Sequence, residues 1–167
     1  AAARAALLAG CPPESLQRSL ESFVNESHRM EWSGEHKGVR YINDSKATNV
    51  DAVYYALGAM KTPVIWIAGG QDKGNDYGPI MDLVQNKVKA LICLGIDNAK
   101  LYEAFSTKVN YISETTTMHE AVRRAASMAS SGDTVLLSPA CASFDLFRDY
   151  RDRGDQFKHE VKELNHV

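Results

Sequence analysis

The feature that most constrains this chain is a repeated change of hydrophobic period. Short apolar runs suited to strands occur at 64–68, 89–94 (Lys-Ala-Leu-Ile-Cys-Leu), 108–112 and 134–137. Between and around them lie stretches of helical spacing, near 49–60, 78–87, 97–105 and 115–130, with a final helix or two over 143–164. Strands that alternate with helices need crossover connections, which make successive strands parallel and cover both faces of the sheet. Upstream, 29–36 reads as a strand, Lys37-Gly38 as a two-residue turn and 39–43 as a returning strand. The expected fold is therefore α/β and Rossmann-like: a doubly wound, mostly parallel sheet of about six strands with one antiparallel strand.

At 167 residues the chain is long enough to bury a real core. Its 19 basic and 21 acidic residues are spread evenly, so nothing points to a nucleic-acid or membrane surface. The longest fully apolar run, Val64-Ile65-Trp66-Ile67-Ala68, is far below the roughly 20 residues that span a bilayer. Three widely spaced cysteines without a C-x-x-C pair fit a reducing, cytoplasmic setting. Leu8-Ala9-Gly10-Cys11 looks like a lipoprotein cleavage box, but the segment before it is short and carries only Arg4 as its basic region. The plainer reading is a helix ending at Gly10 and a second opened by Pro12-Pro13-Glu14, with Leu16, Leu20 and Phe23 on one face. With no initiator Met, the chain reads as a fragment of something longer.

Polar clusters follow the expected strands: Asp44-Ser45-Lys46, Gly69-Gly70-Gln71-Asp72-Lys73, Gly95-Ile96-Asp97-Asn98, and Ser138-Pro139-Ala140-Cys141-Ala142-Ser143. In a parallel sheet these strand ends share one edge, where open α/β sheets bind ligands. Self-contained motifs fail. None of the 11 glycines forms G-x-G, and Gly69 and Gly74 are followed by Asn75-Asp76 rather than Lys and a hydroxyl. His119 and His159 lack a second His four residues on, so no metal site is expected, and no serine sits in G-x-S-x-G. What remains is Lys46 at a strand-to-helix turn, where an anion is also favoured by the helix N-terminus. Lys73 lies in a Gly-rich loop that a ligand could approach closely. Ser143 reads most simply as the cap of the last helix, and Asp44 as a turn or cap residue. For each residue alone, a solvated or structural role is the plainer reading; their convergence on one edge strengthens the functional one.

Asn43-Asp44-Ser45-Lys46-Ala47-Thr48-Asn49 and Leu137-Ser138-Pro139-Ala140-Cys141-Ala142-Ser143 together resemble the UDP-N-acetylmuramoyl-L-alanine:D-glutamate ligases of the Mur ligase family. His28-Arg29-Met30-Glu31 matches the H-R-x-E that opens that family's C-terminal domain, and Arg151-Asp152-Arg153-Gly154-Asp155-Gln156-Phe157 resembles its R-G-x-x-F. The resemblance implies that 27–167 is the C-terminal amino-acid-binding domain and 1–26 the helical tail end of a central ATPase domain. It also implies that the P-loop lies in the remaining domains of the same polypeptide.

The implied reaction is ATP-dependent: the γ-phosphate passes to a substrate carboxylate, and the D-glutamate amine attacks the acyl phosphate. Implied partners are D-glutamate, ATP with Mg, and UDP-N-acetylmuramoyl-L-alanine, in cytoplasmic peptidoglycan synthesis. Lys46 would meet the transferring phosphate. Thr48, Lys73, Ser143, the backbone of Phe144, and Tyr150 would form the D-glutamate pocket, while Arg29 and Asp44 would contact ATP. The chain departs from the family pattern at Phe144, where the best-known members carry Leu, and at Tyr150, where some carry Phe; Asp72 adds an acid near an anionic substrate. The fragment alone is expected to be inactive. The competing readings are a stand-alone Rossmann-like binding or regulatory module and a sister muramyl or folylpolyglutamate ligase domain.

Overall fold

The apolar runs become the middle of a single sheet in the computed structural model, which describes residues 2–23 and 25–166. In chain order the elements are α1 (Ala2–Leu8), α2 (Pro13–Glu21), β1 (Glu31–His36), β2 (Val39–Asn43), α3 (Val50–Ala59) and β3 (Val64–Gly69). A short 3-10 turn, Gly78–Ile80, then leads into α4 (Met81–Lys87), followed by β4 (Val88–Leu94), α5 (Ala99–Phe105) and β5 (Tyr111–Thr115). The chain closes with α6 (Met118–Met128), β6 (Thr134–Ala140) and α7 (Tyr150–Glu163). The six strands lie in the order β1-β2-β6-β3-β4-β5. Among the described residues, the β1–β2 pair is the one antiparallel pair of strands. Lys37 and Gly38 both adopt positive φ (51° and 76°), as a tight hairpin turn with right-handed strand twist requires.

The expected fold class holds, and burial explains why. β3 and β6 are buried along their whole length, so both pleat faces must be apolar. One face packs Trp66, Leu91 and Leu136 under Val53 and Leu57 of α3, Val84 of α4 and Phe105 of α5. The other packs Ile65, Ile67, Ile92 and Val135 under Val122 of α6 and Phe157 and Val161 of α7. Each large apolar side chain buried this way stabilises the fold by roughly 1.5–3 kcal/mol. Trp66 also donates its indole N–H to the Ser138 carbonyl at 2.7 Å, so its one polar atom is satisfied inside the core.

Two of the boundaries that differ from the sequence expectation have a visible local cause. The strand expected at 108–112 begins at Tyr111, because the amides of Lys108 and Val109 are drawn to the Phe105 carbonyl at the end of α5. The last helix begins at Tyr150, not near Ser143. Its cap is Asp149, whose carboxylate accepts from the amides of Arg151 and Asp152, both at 2.8 Å. Ser143 is thus not a helix cap. Its carbonyl closes an isolated turn by accepting from Leu146 and Phe147, and the dipole argument for an anion at that point falls away.

α1 and α2 have no buried residue, and Leu8, Leu20 and Phe23 stay exposed. Among the described residues no helix is long and apolar enough to cross a membrane.

α7 approaches the β1–β2 hairpin through Gly154. A Cβ there would collide with His28 Nδ1 and lie 3.0 Å from both amide atoms of the buried Asn43. In an ordinary helix Gly→Ala stabilises by about 1 kcal/mol. Here Gly154→Ala should instead destabilise by about 1–3 kcal/mol, as overpacking of a filled site does. Thermal or urea unfolding checks the sign, and a variant as stable as the parent would show that His28 can move aside.

Candidate functional site

After β2 and β3 the chain turns to the face covered by α3 and α4, whereas after β6 it turns to the face covered by α7. Loops that part in opposite directions at the carboxyl ends of neighbouring strands leave a crevice between them, the usual ligand position in an open α/β sheet. The loops after β2, β6 and β3 are those carrying Lys46, Ser143 and Lys73.

The loop after β2 is built from short polar side chains that bond locally. Asn43 is fully buried: its carbonyl oxygen accepts from the Ser45 amide at 3.1 Å, and its amide group donates to Glu31 at 3.0 Å. Asp44, 5% exposed, accepts from the Met30 amide at 3.1 Å and the Ser138 hydroxyl at 3.0 Å. Burial outweighs these bonds and pushes its carboxyl up to about 6. The Lys46 amide donates to the His28 carbonyl at 3.0 Å, so the segment before β1 is hydrogen-bonded directly to this loop. The Lys46 ammonium lies 2.6 Å from Glu26 and 5.5 Å from the centre of the Tyr150 ring. An exposed ion pair of this kind is weak, and a more highly charged anion would displace it. The Thr48 side chain is exposed and makes no hydrogen bond among the described residues. Arg29, also exposed, shares with Asp44, Met30, Ala47 and Tyr55 the wall of a cavity of about 250 Å³.

The loop after β3 begins with Gly69 and Gly70 at φ 125° and 124°. A Cβ at Gly69 would press on the backbone of Leu94 at 2.6 Å, and one at Gly70 would strike the Ala142 carbonyl. This close approach lets Gln71 pair with Ala142: amide to carbonyl 2.8 Å, carbonyl to amide 3.2 Å. The bridge ties the loop that carries Lys73 to the loop that carries Ser143. Lys73 is exposed and unpaired among the described residues. Asp72 turns into its own loop and accepts from the Gly74 amide at 2.6 Å.

The loop after β6 opens with Ala140 at φ 62°, a conformation that costs an L-residue of order 1 kcal/mol and persists only where packing enforces it. Here the Ala140 amide donates to the Ala47 carbonyl at 2.9 Å, and its own carbonyl accepts from Asn75 at 3.1 Å. Ser143 is buried, while Phe144 is largely exposed. Tyr150, half-buried, packs edge-on against His28 at 6.0 Å.

Beneath all three loops lies Arg153, 1% exposed. Its guanidinium donates to the Ser45 hydroxyl (3.0 Å) and carbonyl (2.9 Å), twice to the Cys141 carbonyl (3.2 Å each) and to the Gly69 carbonyl (3.4 Å). Burial lowers its pKa to about 10, so it stays charged at neutral pH. Arg153 stands in the R-G-x-x-F stretch of the sequence without a role there. An Arg-Gly pair in a helix is the signal for it, but that it turns inward depends on packing.

The family model described as "Mur ligase, glutamate ligase domain" matches residues 28–141. Curated relatives carry the description UDP-N-acetylmuramoylalanine–D-glutamate ligase. That of Porphyromonas gingivalis is 59% identical over 90% of this chain and 34% of its own length. That of Cytophaga hutchinsonii is 53% identical over 98% and 36%, and that of Bacteroides fragilis 48% over 98% and 37%. The chain thus spans about a third of the length of the relatives it matches. Among solved structures, the UDP-N-acetylmuramate-alanine ligase of Thermotoga maritima superposes with a TM-score of 0.63 at 12% identity, over 96% of this chain and 36% of that one. The bifunctional folylpolyglutamate synthase/dihydrofolate synthase of Yersinia pestis gives 0.58 at 16%, over 93% and 35%. Those two likenesses concern the fold; the family match and the relatives rest on sequence, and by them this chain belongs to the Mur ligase family, as its glutamate ligase domain.

Proposed function

We propose that this chain is the amino-acid-binding part of a UDP-N-acetylmuramoylalanine–D-glutamate ligase, with 27–167 as that domain and 1–26 as the tail of the domain before it. The observation that carries the reading is the 48–59% identity to ligases of that description, in a chain whose loops after β2, β3 and β6 carry Lys46, Thr48, Lys73 and Ser143. Exposed apolar side chains on and just after α2 support the division, since an independent module gains nothing from an unburied Leu20 and Phe23.

In this reading the reaction joins D-glutamate to the carboxylate of UDP-N-acetylmuramoyl-L-alanine at the expense of ATP. The residues of this chain supply charge and position. Lys46 leaves Glu26 to meet the phosphate and the negative charge that grows on it, while Tyr150 keeps the ammonium oriented. Lys73 faces one D-glutamate carboxylate, with Thr48, the Ser143 hydroxyl and the Phe144 amide as hydrogen-bond donors. Arg29 and Asp44 line the cavity suited to the nucleotide, and Asp44 keeps lone pairs for ribose hydroxyls. Mg would be held mainly with the ATP phosphates by the remaining domains. ATP and UDP-N-acetylmuramoyl-L-alanine would likewise be bound mainly there.

In the full-length enzyme, Lys46→Ala should lower kcat by about 10²–10³-fold, the scale of one lost donor to developing charge. Its unfolding curve should match the parent's. A normal kcat with only a raised KM would assign Lys46 to ground-state binding instead.

The 167-residue chain by itself should form no product from ATP, D-glutamate and UDP-N-acetylmuramoyl-L-alanine. Phosphate release and product formation, assayed in material free of the intact enzyme, check this; turnover there would overturn the division of labour.

Asp44 gives a pH dependence. Its carboxyl is held at about 6, so it gains charge, and strength as an acceptor, as pH rises through that value. The KM for ATP should fall from pH 5 to pH 7 in the parent and flatten in Asp44→Asn, which carries no titrating group there. Equal slopes in the two proteins would show that the nucleotide alone titrates.

A further inference from the structure

The loop that carries Lys73 contains an acid one residue before it. A carboxylate beside the cation that is to meet a dicarboxylate would cancel its charge, unless something else takes that acid up. In this structure something does. Asp72 Oδ1 accepts from the amides of Gly74 at 2.6 Å and Asn75 at 3.0 Å, and from the Lys100 ammonium at 3.2 Å. Asp72 Oδ2 accepts from the Tyr77 hydroxyl at 3.0 Å. Burial works against its charge, but these donors together hold the carboxyl below the usual carboxylate range.

The network does not end at the loop. Tyr77 is buried against Phe105, with ring centres 5.3 Å apart, so its hydroxyl is a fixed donor. Asn75 donates to the Tyr77 oxygen at 3.3 Å and to the Ala140 carbonyl at 3.1 Å, which fastens the turn to the end of β6. Lys73 sits within the turn that Asp72 closes, and is exposed and unpaired among the described residues. Lys100 comes from the first turn of α5, on the far side of the loop.

We propose that Asp72 is the positioning residue of the Lys73 loop and that Lys100 masks its charge, so that Asp72 does not cancel the Lys73 charge that meets the amino-acid carboxylate. The proposal rests on the reading that Lys73 meets D-glutamate, and deepens it. Asp72 touches no substrate: its carboxylate sets the turn through backbone amides. Lys100 makes that carboxylate electrostatically silent, and the pocket's preference for an anionic amino acid follows from the pair.

The test is a double-mutant cycle in the full-length enzyme, reading KM for D-glutamate, KM for ATP and kcat in each protein. Lys100→Met uncovers the Asp72 charge and should raise the D-glutamate KM on the order of tenfold, the scale of one charge-assisted contact. The ATP constant should move little. Adding Asp72→Asn removes the uncovered charge while its side-chain oxygen still accepts from the Gly74 and Asn75 amides. The double variant should therefore recover most of the lost D-glutamate affinity. If the contact were only a structural tie, the double variant would be no better than Lys100→Met, and that result overturns the proposal, as does a Lys100→Met enzyme with an unchanged D-glutamate KM. Lys73→Ala separates the two levels. Should it leave the D-glutamate KM unchanged, the reading of the site fails and takes the proposal with it. Should it raise that KM while the cycle shows no rescue, the site stands and only the roles of Asp72 and Lys100 fall.

Discussion

One buried charge organises this end of the molecule. Arg153 gives up water for a ring of carbonyl oxygens and one hydroxyl, with no carboxylate bonded to it. Such a group is tolerable only while every donor is satisfied, because an unpaired buried charge costs several kcal/mol. Its acceptors belong to the ends of β2, β3 and β6. The requirement to satisfy one guanidinium therefore fixes three loops relative to one another. The backbone bridge between Gln71 and Ala142 and the strained Ala140 fit around that constraint.

The sheet order places that charge. β6 enters between β2 and β3 although it is last in the chain, and α7 then folds back over the face opposite to α3. Only this insertion brings residues near 45, 70 and 141 within reach of one side chain from α7. Gly154, next to Arg153, allows the helix to come that close, because His28 and Asn43 fill the space a Cβ would need. The same region carries the junction with the preceding segment: His28 and Met30 are hydrogen-bonded to Lys46 and Asp44. That segment is tied to the Lys46 loop by one backbone–backbone hydrogen bond, from the Lys46 amide to the His28 carbonyl, and by one from the Met30 amide to the Asp44 carboxylate. The ion pair of Lys46 with Glu26 belongs to the same junction.

The sequence by itself determined the layered α/β fold, because runs such as Val64–Ala68 have no polar alternation and must be buried on both faces, while the stretches between them repeat at helical spacing. It also determined that the polar clusters share an edge, since parallel strands all end on one side. The long motifs around Lys46 and Ser143, with His28–Glu31, pointed to the family that the match over residues 28–141 and the relatives bear out. What only the tertiary structure decided depends on contacts between distant segments. Ser143 lost its helix to Asp149 because the chain spends residues 143–149 on a turn before α7 can begin. Asp72, which local reading treats as a charge near the ligand, is turned away by Tyr77 and Lys100, five and 28 residues along the chain. Arg153 had no role in the sequence beyond its place in the R-G-x-x-F stretch, and the glycine after it was the one local sign. Its burial follows from where β6 inserts, and strand order in a sheet is set by packing of whole layers rather than by any window of residues.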